Sequence, residues 1–273
     1  MQPSSRNHDQ VSRAKTTSKA SGGASRGAAK ASGAGKGRAG GKRRISLLRR
    51  RWIRYPLLAL LILATVPFVL TLVYRIDAVR PVSTLMLSRM VTLQPVDRQW
   101  VEIDHVAPRL YQSVMMSEDG QFCSHHGIDL RELRAVIDDA LEGERVRGAS
   151  TITMQTAKNL FLWNGRSLIR KGLEVPLAIW IDLVLPKQRI MEIYLNIAEW
   201  GPSGQFGIKA GAAHHFGRAP DGLNNRQSAL LAVTLPNPHV RDPARPGAGM
   251  QRVADIVQRR AAQSGDYVRC LSR

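Results

Sequence analysis

SEDGQFCSHHGID, Ser117–Asp129, sets two adjacent acids, Glu118 and Asp119, ahead of a glycine, an aromatic, a histidine pair and a second glycine. An acid pair before a turn is by itself ordinary surface chemistry, and the residues after it decide the fold. Asp129 with Glu132 three positions on has the form of a capping box, in which side chains satisfy the free N–H groups that open a helix. Leu130, Leu133, Val136, Ile137, Ala140 and Leu141 then recur at helical spacing up to Gly143, which predicts an amphipathic helix. Helical signals continue downstream. In GASTITMQTAKN (148–159), Thr151, Gln155, Lys158 and Asn159 fall at i, i+4, i+7 and i+8 and form one polar stripe. LEVPLAIWIDLVLP (173–186) is too short to cross a bilayer and contains Glu174 and Asp182, so it reads as a buried core helix. A further helix begins near Lys187 with Ile190, Ile193, Tyr194 and Ile197 on one side, and another covers SALLAVTL before the stop at PNP. Neither a strand repeat nor a doubly wound pattern is present, so the expectation is a mainly α domain of roughly 160–190 residues.

Upstream the chain changes character. Residues 1–54 carry fifteen Lys and Arg against Asp9 alone, and so supply most of the formal charge of +19. Gly, Ala and Ser fill the gaps, a composition that buries too little to offset chain entropy, and no secondary structure is expected there. Residues 55–74, YPLLALLILATVPFVLTLVY, are twenty without a charge, the length that spans a hydrocarbon core. Arginines crowd the leading side through RRRWIR, whereas Arg75, Asp77 and Arg80 make a mixed, sparser flank. The bias predicts an uncleaved signal anchor with a cytoplasmic amino terminus and everything after residue 74 outside. Such a basic tail is then topogenic and attracted to anionic lipid, and nucleic acid is not its expected partner. Pro81, Pro95 and Pro108 mark 75–110 as a linker with little regular structure. The folded domain is expected over 111–273.

In RKGLE, Arg170 and Lys171 stand four and three residues before Glu174, so on a helix both cations reach its carboxylate. A surface salt bridge would explain that spacing, and a solvated face would explain the 151–159 stripe. The ordered set of blocks points elsewhere. EDGQFCSHHGID fits the pattern EDxxFxxHxGxD at Glu118, Asp119, Phe122, His125, Gly127 and Asp129. GASTITMQ is close to GxSTITQQ, RKGLE fits RKxxE, and KQRIMEIYLN fits a fourth block at Lys187, Arg189, Ile190, Tyr194, Leu195 and Asn196. In this order the blocks resemble the peptidoglycan glycosyltransferases, specifically the monofunctional ones, over about Gln112 to Pro246.

The resemblance implies a lysozyme-like glycosyltransferase domain behind a single transmembrane helix, in the inner membrane of a bacterium. It implies polymerisation of lipid II, the GlcNAc 4-hydroxyl attacking the donor MurNAc anomeric carbon with inversion and loss of undecaprenyl diphosphate. Glu118 corresponds to the general base, and Glu174 to a second carboxylate that orients substrate or assists departure. Asp119, Ser150, Thr151, Gln155, Lys158, Arg166, Arg170 and Lys171 are the implied substrate-binding set, with Lys158 and Arg166 on the diphosphate. The fourth block reads as helix packing and His125 as a structural hydrogen-bonding residue. No ligand cluster of metal spacing stands out, and a divalent cation remains open as an aid to the diphosphate. Other cell-wall synthesis proteins are candidate partners.

Two departures stand out: Met154 replaces a glutamine, which removes one amide, and Gln227 replaces the usual acid before the SALLAV run. Cys123 and Cys270 both lie beyond the span, where a disulfide forms if their Cα atoms come within about 7 Å, a closeness the sequence leaves open. No S-x-x-K with a following K-T-G occurs, so cross-linking is not expected. Two rival functions are a lysozyme-like lytic enzyme, which would not need the cations near Glu174, and a non-catalytic scaffold, which would not need the two glutamates.

Overall fold

The computed structural model describes residues 42–142, 148, 150–165 and 167–271. Residues 1–41 of the basic tail, residues 143–147 and Arg166 lie outside the described residues. The chain separates into two units, Met1–Ile53 and Arg54–Arg273. Ten α-helices are present among the described residues: α1 (Lys42–Tyr74), α2 (Thr84–Val91), α3 (Pro108–Glu118), α4 (Leu130–Leu141), α5 (Ile152–Phe161), α6 (Leu168–Val184), α7 (Lys187–Ile197), α8 (Ile208–Phe216), α9 (Asn225–Thr234) and α10 (Ala248–Ala262). A minimal parallel pair, β1 (Asp97–Arg98) with β2 (Gln205–Phe206), is registered Asp97 to Gln205 and Arg98 to Phe206. The domain is mainly α, as expected.

Within α1, Arg51–Tyr74 is 24 residues long and contains an 18-residue stretch of mean hydropathy 2.5, long and apolar enough to cross a membrane, and its side chains are largely exposed. The helix begins earlier than the composition predicts, since Lys42–Arg54 is helical too. Lys, Arg and Leu are good helix formers, and extending an existing helix avoids the cost of nucleation.

Residues 75–110 are not a loose linker. Met86 of α2 is fully buried, Val101 and Ile103 join the core, and β1 pairs with β2. The cause lies in α7, whose residues from Arg189 to Ile197 are all buried. Arg189, Glu192 and Asn196, at i, i+3 and i+7, form a polar stripe inside that apolar helix. Arg189 donates from Nε to Tyr74 O at 3.0 Å, from Nη2 to Ile76 O at 3.1 Å and to Val79 O, and pairs through Nη1 with Glu192. Glu192 accepts from Ile103 N at 3.0 Å, while Asn196 accepts from Val101 N at 2.8 Å and donates to Val101 O at 2.7 Å. Apart from the Arg189–Glu192 pair itself, the partners are backbone groups of residues 74–103, which the stripe ties to α7. The sequence marks the prolines of this segment but not the stripe that captures it.

Helix α6, expected over 173–186 as a buried core helix, starts at Leu168 and gives the core one face. Glu174, Leu177, Ala178, Ile181 and Val184 face inward, while Leu168, Ile169 and Leu183 are more than two-thirds exposed. Its far end lies against α1: Trp180 Nε1 donates to Phe68 O at 3.1 Å with the rings 5.7 Å apart, and Arg75 donates to Val184 O at 3.2 Å. Behind the site, α3 packs on α9 and α10. Gln227, where an acid was the expected residue, closes a capping box with Asn224 at the start of α9 and so has a fold role of its own. Cys123 and Cys270 form a disulfide, with Cα atoms 5.5 Å apart.

Arg189→Met should cost about 3–5 kcal/mol of stability, because it leaves Glu192 as an unpaired buried charge and removes the guanidinium donors to Tyr74 O and Val79 O. Urea titration of the detergent-solubilised protein measures this, and the double variant Arg189→Met with Glu192→Met should recover part of the loss.

Candidate active site

The 119–129 loop is pinned at the start of α5, where a helix leaves its first N–H groups free. Thr151 caps the helix by accepting from Met154 N at 3.1 Å, and its hydroxyl donates to Gly127 O at 2.6 Å. Asp119 adds a second cap: Oδ2 accepts from Ile152 N at 2.9 Å, a carboxylate placed against the positive end of the helix dipole. The same carboxylate accepts from His125 Nε2 at 3.0 Å. Gly127 has φ +83°, and a Cβ there would lie 2.5 Å from Ala178 O of α6, so only glycine fits. Asp119 and Thr151, both expected at the substrate, line a cavity with Glu118 and also tie the loop to the start of α5. His125 makes the structural hydrogen bond expected of it.

One turn into α5, Gln155 Nε2 donates to Glu118 Oε2 at 3.0 Å, and the hydroxyl of fully buried Tyr194 donates to Gln155 Oε1 at 3.1 Å. Tyr194 thereby fixes which end of the amide faces Glu118. Burial pushes the Glu118 carboxyl up from its ordinary range. Hydrogen bonds from Gln155 and Ser117 and the positive charges of Arg241 and Lys158 oppose that push.

Glu174 is also buried, at 2 % exposure, but is directly paired. Arg170 holds Oε1, and Lys171 holds Oε2 at 2.9 Å while donating to Ser150 Oγ at 2.5 Å. Lys158 belongs to the same field: burial lowers its pKa most, Glu174 and Glu118 raise it, and Arg170 and Lys171 lower it. Three cations around one structural carboxylate leave room for a further anion. Cavities flank the Glu118–Gln155 pair. One of about 410 Å³ is lined by Glu118, Ser150 and Arg260, and one of about 490 Å³ by Gln155, Lys158 and Tyr194. Ser150, Gln155, Lys158, Arg170 and Lys171 therefore converge with both glutamates. Among the described residues no group of three or more His, Cys, Asp and Glu could hold a metal.

Sequence reasoning missed Tyr194 and Arg241. Tyr194 sits in a block that reads as packing, yet a buried tyrosine needs a partner for its hydroxyl, which was the usable signal. Arg241, in the loop after α9, donates to Val233 O at 2.6 Å, and no spacing pattern links it to Glu118.

Tyr194→Phe should let the Gln155 amide turn, weaken its bond to the Glu118 carboxylate and raise the Glu118 pKa further, as read from the pH dependence of the carboxyl carbon shift. Because burial already raises that pKa, ionising Glu118 costs folding stability. The cost is absent below the unfolded carboxyl pKa and grows as pH rises through the folded one. Glu118→Gln should therefore raise Tm at neutral pH by about 2–4 °C, with no gain below about pH 4.

Comparison with known proteins gives the family of the chain. Residues 85–262 match the Transglycosylase family model. Proteins named biosynthetic peptidoglycan transglycosylase are similar over most of their length. The Mesorhizobium japonicum protein is 60 % identical over 224 residues, 81 % of this chain and 94 % of the relative. The Brucella suis protein is 61 % identical over 212 residues, 78 % and 94 %, and the Rhizobium meliloti protein 56 % over 223 residues, 82 % and 93 %. A buried carboxylate held by an amide, beside a second carboxylate ringed by cations, thus occurs in a chain that belongs to the transglycosylase family.

Proposed function

We propose that this chain is a membrane-anchored peptidoglycan glycosyltransferase that joins lipid II units into linear glycan. The observation that carries the reading is the contrast between its two buried glutamates. Among the described residues Glu118 forms no ion pair, and burial raises its pKa, which suits a group that must accept a proton from a sugar hydroxyl. Glu174 is locked between Arg170 and Lys171, which suits a fixed charge that positions cations. Glu118 takes the proton of the acceptor GlcNAc 4-hydroxyl as its oxygen attacks the donor anomeric carbon, which inverts. Undecaprenyl diphosphate departs toward Lys158, Arg170 and Lys171, whose charge offsets the one it develops. Arg166, outside the described residues, is the remaining cation of the expected set. Asp119 and Thr151 act by holding α5, and through it Gln155, in place. No step calls for a metal ligand from the chain.

In the same reading α1 is the anchor in the bacterial inner membrane, with the basic tail cytoplasmic and the domain beyond residue 74 outside. The exposed Leu130 and Leu133 of α4 and Leu168, Ile169 and Leu183 of α6 suit a domain resting on the bilayer interface. A lytic role is disfavoured, since hydrolysis of finished glycan has no diphosphate for those cations to meet.

Detergent-solubilised protein incubated with labelled lipid II should give a ladder of polymer that lysozyme digests. Glu118→Gln should slow polymerisation at least about 100-fold. Polymer formed by Glu118→Gln at the wild-type rate would remove Glu118 as the base, and shortening of preformed glycan would favour lysis.

A further inference from the structure

The 119–125 loop runs directly from Glu118 and has no regular secondary structure. Its two ends are tied to each other, Asp119 to His125 at 3.0 Å. Its middle is tied by the disulfide from Cys123 to Cys270, across 147 residues of sequence, in the 3₁₀ segment Gly265–Leu271. The first turn of α7 holds both sides of that bond. Lys187 donates to His125 O at 2.7 Å and lies 4.6 Å over the Phe122 ring, and Gln188 donates to Leu271 O at 3.4 Å. The disulfide thus closes a ring of α7, loop and 3₁₀ segment. A surface cavity of about 530 Å³ opens over it, lined by Gly120, Gln121, Tyr267 and both cysteines, each partly exposed. The bond is therefore within reach of an attacking thiolate.

From Cys123 a continuous path leads to the carboxylate that the proposed reaction uses. Loop position sets His125, His125 holds Asp119, Asp119 caps α5 at Ile152 N, and α5 presents Gln155 to Glu118 at 3.0 Å. We propose that the Cys123–Cys270 pair is a redox-sensitive strap on this loop, exchanged by a thiol–disulfide protein partner, and that the oxidised form is the fully active one. In reduction, a partner thiolate attacks one sulfur, giving a mixed disulfide and releasing one cysteine thiolate, which takes up a proton. The partner's second thiol resolves the mixed disulfide and frees the other cysteine. Two electrons and two protons enter this chain while the partner's dithiol becomes a disulfide, and oxidation runs the same steps in reverse. With the bond open, the core keeps the domain folded and the loop is held on one side only, through Lys187, so the placement of His125, Gln155 and Glu118 loosens.

The activity readout rests on the glycosyltransferase reading. Full-length protein in detergent is prepared oxidised with oxidised glutathione or reduced with dithiothreitol, its thiols counted by alkylation and mass, and assayed with labelled lipid II. The expected result is no free thiol in the oxidised form and two in the reduced. Reduction should leave the helical circular dichroism at room temperature unchanged and KM unaltered, with kcat lowered about tenfold, the scale of a small misplacement in a reacting site. Re-oxidation should restore kcat, and Cys270→Ser should match the reduced enzyme and ignore dithiothreitol. Equal kcat in both states, or free thiols in the oxidised protein, would overturn the strap. So would loss of helical signal on reduction, which would make the bond a staple of the fold alone. If the oxidised wild type makes no polymer, it is the functional reading that fails. The strap is then judged on the Glu118 carboxyl titration, which must differ between the two states.

Discussion

A row of three polar side chains inside an otherwise apolar helix holds the membrane-proximal part of the molecule to the rest. Arg189, Glu192 and Asn196 are buried on α7, and burial without partners would make each a serious cost. Their partners are one another and the backbone of residues 74–103. The segment after α1 therefore cannot swing away without stranding an ion pair and an amide in the core. The burial of Met86 and the β1–β2 pairing follow from the same capture. Replacing the stripe with hydrophobic residues would preserve packing while abandoning the instruction about where the chain must enter.

The site is organised by hydrogen bonds to helix ends. Glu118 is the last residue of α3, where the partial negative charge of a helix terminus adds to burial in opposing ionisation. The next residue, Asp119, meets the opposite electrostatics at the start of α5. Two consecutive acids thus take different roles because one ends its own helix and the other caps the start of a distant one. Glu174 is a third case, its charge answered by cations four and three residues earlier on its own helix.

The legibility of the sequence follows from the range of the interactions involved. Spacing within one helix was readable, and the Arg170, Lys171 and Glu174 cluster stands as the i, i+3 and i+4 rule requires. Helix α9 and its stop at PNP were readable for the same local reason. What escaped depends on pairs distant in sequence. Tyr194 reaches Gln155 across 39 positions, and Asn196 reaches Val101 across 95. The two cysteines were visible but their closeness was not, because 147 residues of folding bring them together. The helix α6 was misjudged because its apolar run contains no signal of which side lacks a neighbour. That the start of α5 would hold the Asp119 carboxylate was not legible either, since Ile152 lies 33 positions away.

Helix α6 is joined to the end of α1 by Trp180 to Phe68 and by Arg75, just past α1, to Val184. An enzyme on a slack leash samples a volume, and its cleft meets substrate at every height and tilt. With the join closed, the cleft keeps one distance and one orientation with respect to the long apolar helix. In the proposed reading, with α1 and the tail of the substrate in one bilayer, encounter becomes a search in two dimensions. Its rate is governed by lateral diffusion and by the number of substrate molecules per unit area of membrane, not by bulk concentration.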